Sequence, residues 1–244
     1  MEWNDEGIVI SARRHGESST LVSLLTRNQG RHAGLMRGGS KAATRGVLQI
    51  GNRVKARWRA RLAEHLGTIA CELSEAVAAP LIHDPDRLAC LVAACSITET
   101  ALPEREPYPR AFERLLALLC VLTKDGEWLS AYVKWELGLL SDLGFGLDLD
   151  HCVVTGRKDQ LAFVSPKSGC AVSKSAGEPF RGRLLALPAF LLESDRAGDV
   201  IDAIQGLALT GFFLERYVYH AHGQNAPKAR VRFIGRLKRA CTSP

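Results

Sequence analysis

Positively charged side chains occupy every second position of one short stretch, residues 53–62 with the sequence RVKARWRARL. The cations are Arg53, Lys55, Arg57, Arg59 and Arg61. Four of the five are arginines, whose planar guanidinium groups bind phosphate through paired hydrogen bonds and stack on nucleobases. This spacing therefore favours the binding of a polyanion. The alternative is a protective role, because charged side chains on an exposed strand also keep sheets from pairing edge to edge.

A second group of cations surrounds the glycine-rich residues 37–41, RGGSK, and continues to Arg45. A nucleotide-hydrolysing phosphate loop places four residues between its glycines and ends in Gly-Lys-Ser or Gly-Lys-Thr. Here Ser40 precedes Lys41, and the second glycine is not at the required spacing. We therefore predict a basic loop that contacts the phosphates of a nucleic acid. Its contacts are Arg37, Lys41 and Arg45.

The formal net charge of +6 is unevenly distributed along the chain. Residues 1–62 contain 12 Lys/Arg and 4 Asp/Glu, and residues 228–239 contain 6 Lys/Arg and no acid, so the middle of the chain is net negative. This concentration predicts a nucleic-acid surface assembled from the two ends of the chain, rather than a diffuse basic coat.

The sequence lacks the motifs of common catalytic sites. It contains no Gly-x-Ser-x-Gly elbow and no His-Glu-x-x-His pair, and its acidic pair Asp148 and Asp150 has the spacing of a loop or a helix end. We therefore predict a binding protein that is not an enzyme and uses no cofactor. Two alternatives stay open: an RNA-binding protein, which would share the same cations, and a metal-dependent nuclease, which would need clustered carboxylates.

Two segments resemble the halves of a four-cysteine metal site, but each has lost one cysteine. They read Cys152-x-x-Thr155 and Cys170-x-x-Ser173. Structural zinc needs four good donors, and neutral hydroxyls are poor replacements for thiolates, so even with His151 the segment reaches only three. We predict that no metal binds and that packing and hydrogen bonds hold this loop. The seven cysteines of the chain are expected to be reduced.

The first 80 residues predict a scaffold of strands and turns that would present these cations. Alternation within residues 53–62 sends the charges to one face and Trp58 into a core. Five strands in about 75 residues, with one glycine-rich connection between them, are typical of a small closed barrel of the OB type. An SH3-like barrel is the alternative. The predicted strands are 7–12, 19–26, 31–36, 53–62 and about 65–73.

After residue 80 the apolar residues change to helical spacing. Asp84 or Asp86 can cap a first helix, and Pro107 and Pro109 can open a second. A third apolar face ends at Gly144. This third face covers residues 128–143, and helical spacing resumes at residues 183–192 and 200–218.

The predicted fold class is therefore α+β, with an OB-fold barrel in residues 1–80 and a helical domain in residues 81–244. The helical domain carries a metal-free, zinc-ribbon-like loop insert at residues 148–180 and a basic tail. Three acids and no cation in residues 1–6 argue against a signal peptide, and no apolar run reaches the length of a membrane span. We expect no membrane association and a cytoplasmic, nucleoid-associated location.

The order and spacing of several short motifs resemble the RecO family of bacterial DNA-repair and recombination mediators. The likeness runs over nearly the whole chain. The motifs are Gly16-Glu17, Thr26-x-x-x-Gly30-Arg31, Arg37-Gly38-Gly39, Arg45-Gly46-x-Leu48-Gln49, Lys134-Trp135-Glu136-Leu137, Leu140-x-x-Leu143-Gly144-Phe145-Gly146 and the paired cysteine-type segments.

The resemblance implies an OB fold, a helical domain and, in many members, a zinc ribbon from which Thr155 and Ser173 depart. It implies binding to single- and double-stranded DNA, strand annealing, binding of the tail of single-stranded DNA-binding protein (SSB), and cooperation with RecR to load the recombinase. By position, Lys228 and Arg230 match a basic motif near the family's carboxyl end. Lys134, beside Trp135, matches a position where the SSB tail is thought to dock, although a plain solvated helix charge is the alternative.

Overall fold

The amino-terminal part of the chain is a closed β-barrel. The protein is described by a computed structural model over residues 1–39, 42–62, 64–124, 126–193 and 196–242. The barrel has the strand order β1-β2-β3-β5-β4, and the helix α1 (Ala42–Val47) lies in the connection between β3 and β4. The strands are β1 (Glu2–His15), β2 (Ser19–Thr26), β3 (Gly30–Arg37), β4 (Arg53–Arg59) and β5 (Thr68–Glu75).

One long strand closes the barrel. The first half of β1, from Glu2 to Ile8, pairs with β4, and its second half, from Gly7 to His15, pairs with β2. A register shift between Val9 and Ser11 interrupts the pairing with β2. Such a shift bends a strand. The other neighbours are antiparallel except for β3 and β5, which pair in parallel at one point.

Trp58 lies in the core of the barrel, as the alternation of β4 predicts, and is 2% exposed. Its indole Nε1 donates to the carbonyl oxygens of Ala33 at 3.2 Å and Leu66 at 3.0 Å. Gly67 leaves the room that the indole needs, because a Cβ there would come within 2.7 Å of the ring. The indole belongs to a cluster of buried side chains from the strands and from the β3–β4 connection: Val9, Val22, Leu24, Leu48, Val54, Ala56 and Ile69.

The first compact unit of the chain includes helices as well as the barrel. It comprises Met1–Asp125 and Pro227–Phe233, and therefore contains α2 (Pro85–Ala101) and α3 (Pro109–Leu122). The carboxylate of Asp84 accepts from the backbone nitrogens of the first turn of α2, which confirms the predicted cap. The sequence predicts a domain boundary at residue 80, where strands give way to helices. The first compact unit instead continues to Asp125.

The second compact unit comprises Gly126–Ala226 and Ile234–Pro244. It begins with α4 (Trp128–Asp142). The predicted loop insert contains the strands β6 (Leu161–Val164) and β7 (Ala171–Ser173), which form a sheet with β8 in the order β7-β6-β8. The short helix α5 (Lys174–Gly177) and β8 (Leu185–Ala186) follow. Strands of this length are too short to show alternation, so the sequence predicted an irregular loop.

The helix predicted at residues 183–192 is wrong. The segment holds β8 and a 3-10 turn at Ala189–Leu191, and Pro188 separates the two. Proline lacks the backbone N–H that a helix interior needs and disfavours helical geometry in the residue before it. The last predicted helix is present as α6 (Val200–Phe213), continued by a π-helical segment at Leu214–Tyr219.

The carboxyl-terminal cations lie on α7 (Lys228–Thr242). The part of this helix up to Phe233 belongs to the first compact unit, and the part from Ile234 belongs to the second. Among the residues described, no helix has the length and apolar character that crossing a membrane requires.

Candidate nucleic-acid interface

The cations of β4 leave the strand on one face, as predicted. Along Arg53–Arg59 the even-numbered residues are buried and the odd-numbered ones are partly or fully exposed. The strand ends at Arg59, three residues before the predicted end, so Arg61 lies in the segment that follows. We call this side of the barrel the β4 face. It carries Arg53, Lys55, Arg57 and Arg59 from β4 and the side chains opposite them on β1 and β5.

Carboxylates from the neighbouring strands border these cations. Side chains directly opposite one another in antiparallel strands share a face. Glu2 lies opposite Arg59 and Glu6 opposite Lys55 on β1, while Glu72 lies opposite Lys55 on β5. The register shift in β5 places Glu75 opposite Arg53. The β4 face therefore alternates positive and negative charge.

Several of these charges form ion pairs. The guanidinium of Arg53 binds the carboxylate of Glu6 and lies 2.5 Å from that of Glu75. Arg57 binds the carboxylate of Glu2. Lys55, Arg59 and Arg61 form no ion pair within the part of the chain that the structure describes.

The paired carboxylates are stabilised in their charged form. A hydrogen bond from Arg53, followed by one from Arg27, holds the pKa of Glu6 below its usual value despite partial burial. The hydrogen bond from Arg57 similarly lowers the pKa of Glu2. These glutamates are therefore ionised at neutral pH, and their negative charge offsets the cations beside them.

Three further arginines of the barrel bind parts of their own compact unit. Arg13 donates to both carboxylate oxygens of Glu99 on α2 at 3.0 Å. Arg27 binds Glu6 and Glu113, and Arg31 donates to the carbonyl of Leu102 at 2.7 Å and lies 3.1 Å from Glu104. These arginines hold α2, α3 and the segment between them against the barrel.

A different group of cations lies at the end of the barrel formed by the β1–β2 turn and the β3–β4 connection. We call this group the loop surface and define it by Arg14, Arg37 and Arg45, all exposed. None of the three pairs with an acid among the described residues. The β3–β4 connection, residues 38–52, contains no Asp or Glu. Lys41, which the sequence predicted as a contact here, lies outside the described residues.

A cavity of about 450 Å³ opens beside two arginines of the loop surface. Arg14 and Arg45 both line it. On β2, Arg14 pairs with Thr20, and Arg37 pairs with the preceding residue, Ser19. Successive residues of a strand point to opposite faces, so the side chain of Arg37 leaves the sheet on the side opposite to that of Arg14. The structure thus brings Arg14 and Arg45 together at the cavity and places Arg37 at the same end of the barrel. The remaining lining residues are Ala12, Thr20, Gly39, Leu48, Gln49 and Ile50.

A buried asparagine fixes the connection that carries Arg45. The side chain of Asn52 is fully buried and makes four hydrogen bonds. Its Nδ2 donates to the carbonyls of Gly46 at 2.9 Å and of Val47. Its Oδ1 accepts from the backbone nitrogens of Val77 at 3.0 Å and of the next residue. Asn52 therefore ties the end of α1 to the segment after β5.

Two family models match the chain: Recombination protein O N terminal over residues 1–76 and Recombination protein O C terminal over residues 82–226. The chain belongs to the RecO family. The DNA repair protein RecO of Rhodospirillum centenum is 54% identical over 245 residues, covering 100% of this chain and 97% of that protein. The DNA repair protein RecO of Rhodospirillum rubrum is 49% identical, covering 98% of this chain and 97% of that protein.

Membership of the RecO family confirms the resemblance and the expected connection with DNA repair and recombination. It also confirms the coarse fold class, an α+β chain with a strand-rich amino-terminal part and helices after it. The family match leaves the role of each residue as a prediction.

The two predicted contacts near the carboxyl end differ in exposure. Lys228, the first residue of α7, is exposed. Arg230 is only 4% exposed, so its guanidinium is not presented to a nucleic acid in this structure. The two predicted residues for the SSB tail differ in the same way: Trp135 is 5% exposed and Lys134 is partly exposed on α4. Trp135 is therefore buried, with its ring centroid 5.5 Å from that of Tyr132, and is not an open apolar neighbour of Lys134.

The donor groups at the two cysteine-type segments, Cys152-x-x-Thr155 and Cys170-x-x-Ser173, do not fit a structural zinc ion. The backbone nitrogen of Ser173 donates to the sulfur of Cys152 at 3.2 Å, and the two side chains lie 3.5 Å apart. Burial alone raises the pKa of the Cys152 thiol, but hydrogen bonds from Ser173 and Thr155 outweigh it and lower that pKa to about 6. The sulfur of Cys170 lies 3.6 Å from its own loop's carbonyl at Ser168. Hydroxyl and backbone donors thus surround Cys152 where a zinc ribbon would have thiolates.

Sequence reasoning missed Arg14, Asn52 and the four glutamates of the β4 face. Arg14 stands in the pair Arg13-Arg14 at the end of β1, and only the register with β2 shows that Arg13 turns to α2 while Arg14 faces the cavity. The basic pair itself was a usable signal. For Asn52, the usable signal was an asparagine next to Gly51 in the connection before a strand.

Proposed function

We propose that this member of the RecO family is a mediator of DNA repair and homologous recombination. It binds single- and double-stranded DNA, anneals complementary strands and, together with RecR, helps load the recombinase onto SSB-coated DNA. The single observation that carries the DNA-binding part is the loop surface, where Arg14, Arg37 and Arg45 are exposed and form no ion pair with the acids described. Family membership supports the role in recombination.

We assign the barrel to the OB type. The strand order β1-β2-β3-β5-β4, closed by β1 against β4, supports this assignment over an SH3-like barrel. OB folds bind oligonucleotides on the face of their second and third strands and on the adjoining loops. In this scheme residues 1–80 are the DNA-binding domain, and residues 81–244 are the helical domain with its metal-free insert.

The proposed activity needs no bond chemistry. Cations that neutralise phosphates release condensed counterions, and this release drives binding without regard to sequence. Two strands that would repel each other can then share one protein surface long enough to pair. Annealing is downhill once the strands meet, so neither a catalytic residue nor a cofactor is required.

The β4 face contributes less than the loop surface in this proposal. Lys55 and Arg59 of this face, and Arg61 just after the strand, can reach a phosphate without breaking an ion pair with a described residue. Arg53 and Arg57 must first leave their carboxylates. An exposed ion pair is worth little in stability, but its carboxylate also repels an approaching phosphate. On α7, Lys228 is the exposed candidate contact and Arg230 is buried.

We further propose that Lys134 binds the acidic tail of SSB. Lys134→Glu should weaken binding of an SSB carboxyl-terminal peptide and leave the affinity for naked DNA unchanged. Lys158→Glu makes the same charge change at an exposed position of the same unit and is the matched control. Equal peptide affinity in the Lys134 variant and the wild type would rule this assignment out.

The experiment that tests the proposed function is strand annealing on SSB-coated complementary oligonucleotides, with and without RecR. We expect the protein to accelerate annealing and RecR to change its action on coated strands. No acceleration at low salt would contradict the proposal. Competition between DNA and RNA of one sequence separates a DNA mediator from an RNA-binding protein, because phosphate contacts alone do not distinguish the sugar.

A further inference from the structure

We propose that the cavity at the loop surface takes one unstacked nucleobase of a bound single strand, while Arg14 and Arg45 hold the flanking phosphates. This inference rests on the proposed DNA binding and names the chemistry of one site within it. A cavity of about 450 Å³ is within the range that small-molecule sites in proteins usually occupy.

The lining of the cavity matches the chemistry of a base. Ala12, Leu48 and Ile50 offer hydrocarbon surface for the flat face of a ring. Thr20 and Gln49 add a hydroxyl and an amide, which can hydrogen-bond to the edge of a base. A site for free phosphate alone would need none of the hydrocarbon surface.

The charges around the cavity match the backbone that would accompany the base. Arg14 and Arg45 line the cavity from two different elements, the end of β1 and α1. Neither forms an ion pair with an acid among the described residues. Each guanidinium is thus available to bind a phosphate in a bidentate manner.

The cavity walls are held by the barrel. Leu48 is 5% exposed and belongs to the buried core of the barrel. Gly39 lies against Thr20 so closely that a Cβ on it would come within 2.6 Å of the Thr20 hydroxyl oxygen. Asn52 fixes the end of α1 through its bonds to Gly46 and Val47. The site is therefore formed before a ligand arrives, which reduces the entropy cost of binding.

This arrangement distinguishes single strands from duplexes. A base in a duplex reaches such a cavity only after unstacking and unpairing, which costs a few kcal/mol. A base in a single strand is already unpaired, so moving it into the cavity costs less free energy. Pairing with a complementary strand would withdraw the base from the cavity, so annealing itself would weaken the hold of the protein on its product.

The test compares two ligands of equal charge: an oligothymidylate of about 12 nucleotides and an abasic sugar-phosphate strand of the same length. The intact wild-type protein should bind the strand with bases about fivefold more tightly. This preference is at the low end for base contacts, because none of the described residues that line the cavity is aromatic. Ala12→Leu fills the cavity and should remove this preference while leaving the abasic strand bound as before. Ala208→Leu, at an exposed position of α6, is the matched control.

A second variant and a spectroscopic signal test the same proposal independently, in case the Ala12→Leu protein misfolds. Gln49→Ala alters an exposed residue and should reduce the preference for bases without touching the core. A 2-aminopurine in the strand should brighten on binding, because it leaves its stacked neighbours, and should not brighten with Ala12→Leu. Equal affinity of the wild type for both strands would overturn the cavity assignment and leave DNA binding intact. Failure to bind either strand at low salt would instead overturn the proposed function.

Discussion

The β4 face and the loop surface are two basic regions of one barrel that differ in whether carboxylates lie beside their cations. On the β4 face, Glu2 and Glu6 from β1 and Glu72 and Glu75 from β5 stand among the cations. At the loop surface no carboxylate of the described residues pairs with Arg14, Arg37 or Arg45. The region with more cations is the one whose charge is more completely offset.

The difference teaches that a run of cations along one strand does not fix the potential at its surface. A strand's neighbours in space come from distant parts of the sequence, and each cation on a sheet meets the residue across from it. Arg57 is 55 residues from Glu2 in the chain and yet binds it. At the loop surface, by contrast, Arg14 and Arg37 lie near strand ends opposite the neutral residues Thr20 and Ser19, and Arg45 lies on a short helix.

The largest change should follow from the loss of the asparagine that fixes the loop surface. Asn52→Ala leaves the backbone N–H of the buried Val77 and partly buried groups at both ends of the link without partners, so we expect the free energy of unfolding to fall by about 2 kcal/mol. DNA affinity should fall as well, because α1 loses its anchor. Denaturant unfolding and fluorescence anisotropy measure the two effects. Asn4→Ala, at an exposed position of the β4 face, is the matched control and should change stability little.

Removing carboxylates from the β4 face should make it resemble the loop surface. In the double variant Glu2→Gln and Glu72→Gln, Arg57 loses its ion-pair partner and Lys55 loses one of its two acidic neighbours. Single-stranded DNA should therefore bind several-fold more tightly at low salt. About 1 kcal/mol of improved binding corresponds to roughly fivefold in affinity. Glu178→Gln, in the second unit, removes an exposed carboxylate far along the chain and is the control. Unchanged affinity in the double variant would show that these carboxylates do not limit the β4 face.

The ion pairs of the β4 face should also appear in the dependence of stability on pH. The pKa of Glu6 is lower in the folded protein than the usual value of 4.5, so its contribution is present above that pH and is lost as the pH falls through the folded pKa. Between about pH 5 and pH 3 the wild type should lose about 1 kcal/mol more than Glu6→Gln. Urea unfolding across this range measures the difference. Parallel curves for the two proteins would show that the Glu6 pairs contribute no net stability.

Much of the fold followed from local patterns. Alternation in β4 predicted Trp58 in the core, and the cap at Asp84 and the prolines before α3 predicted where helices begin. The small sheet of the second unit was missed because β7 and β8 are only three and two residues long. Periodicity needs more residues than these strands have.

The candidate site was less accessible to sequence reasoning. The sequence identified the cations, since charge is read directly, and it placed Arg37 and Arg45 near one another. It could not show that Arg53 and Arg57 are paired or that Arg230 is buried, because both depend on contacts between distant segments. The cavity likewise arises from several strands and turns together, and no single stretch of sequence encodes it.

The most direct test of the difference between the two surfaces uses two triple variants that remove equal charge. One changes Arg14, Arg37 and Arg45 of the loop surface to Gln, and the other changes Lys55, Arg59 and Arg61 to Gln. The measurement is the slope of log affinity for single-stranded DNA against log salt, which changes by about 0.7 for each phosphate that the protein no longer neutralises. We predict that the loop-surface variant flattens the slope by about 2 and the other by less than about 1. The reverse ranking would contradict the larger role that we assign to the loop surface.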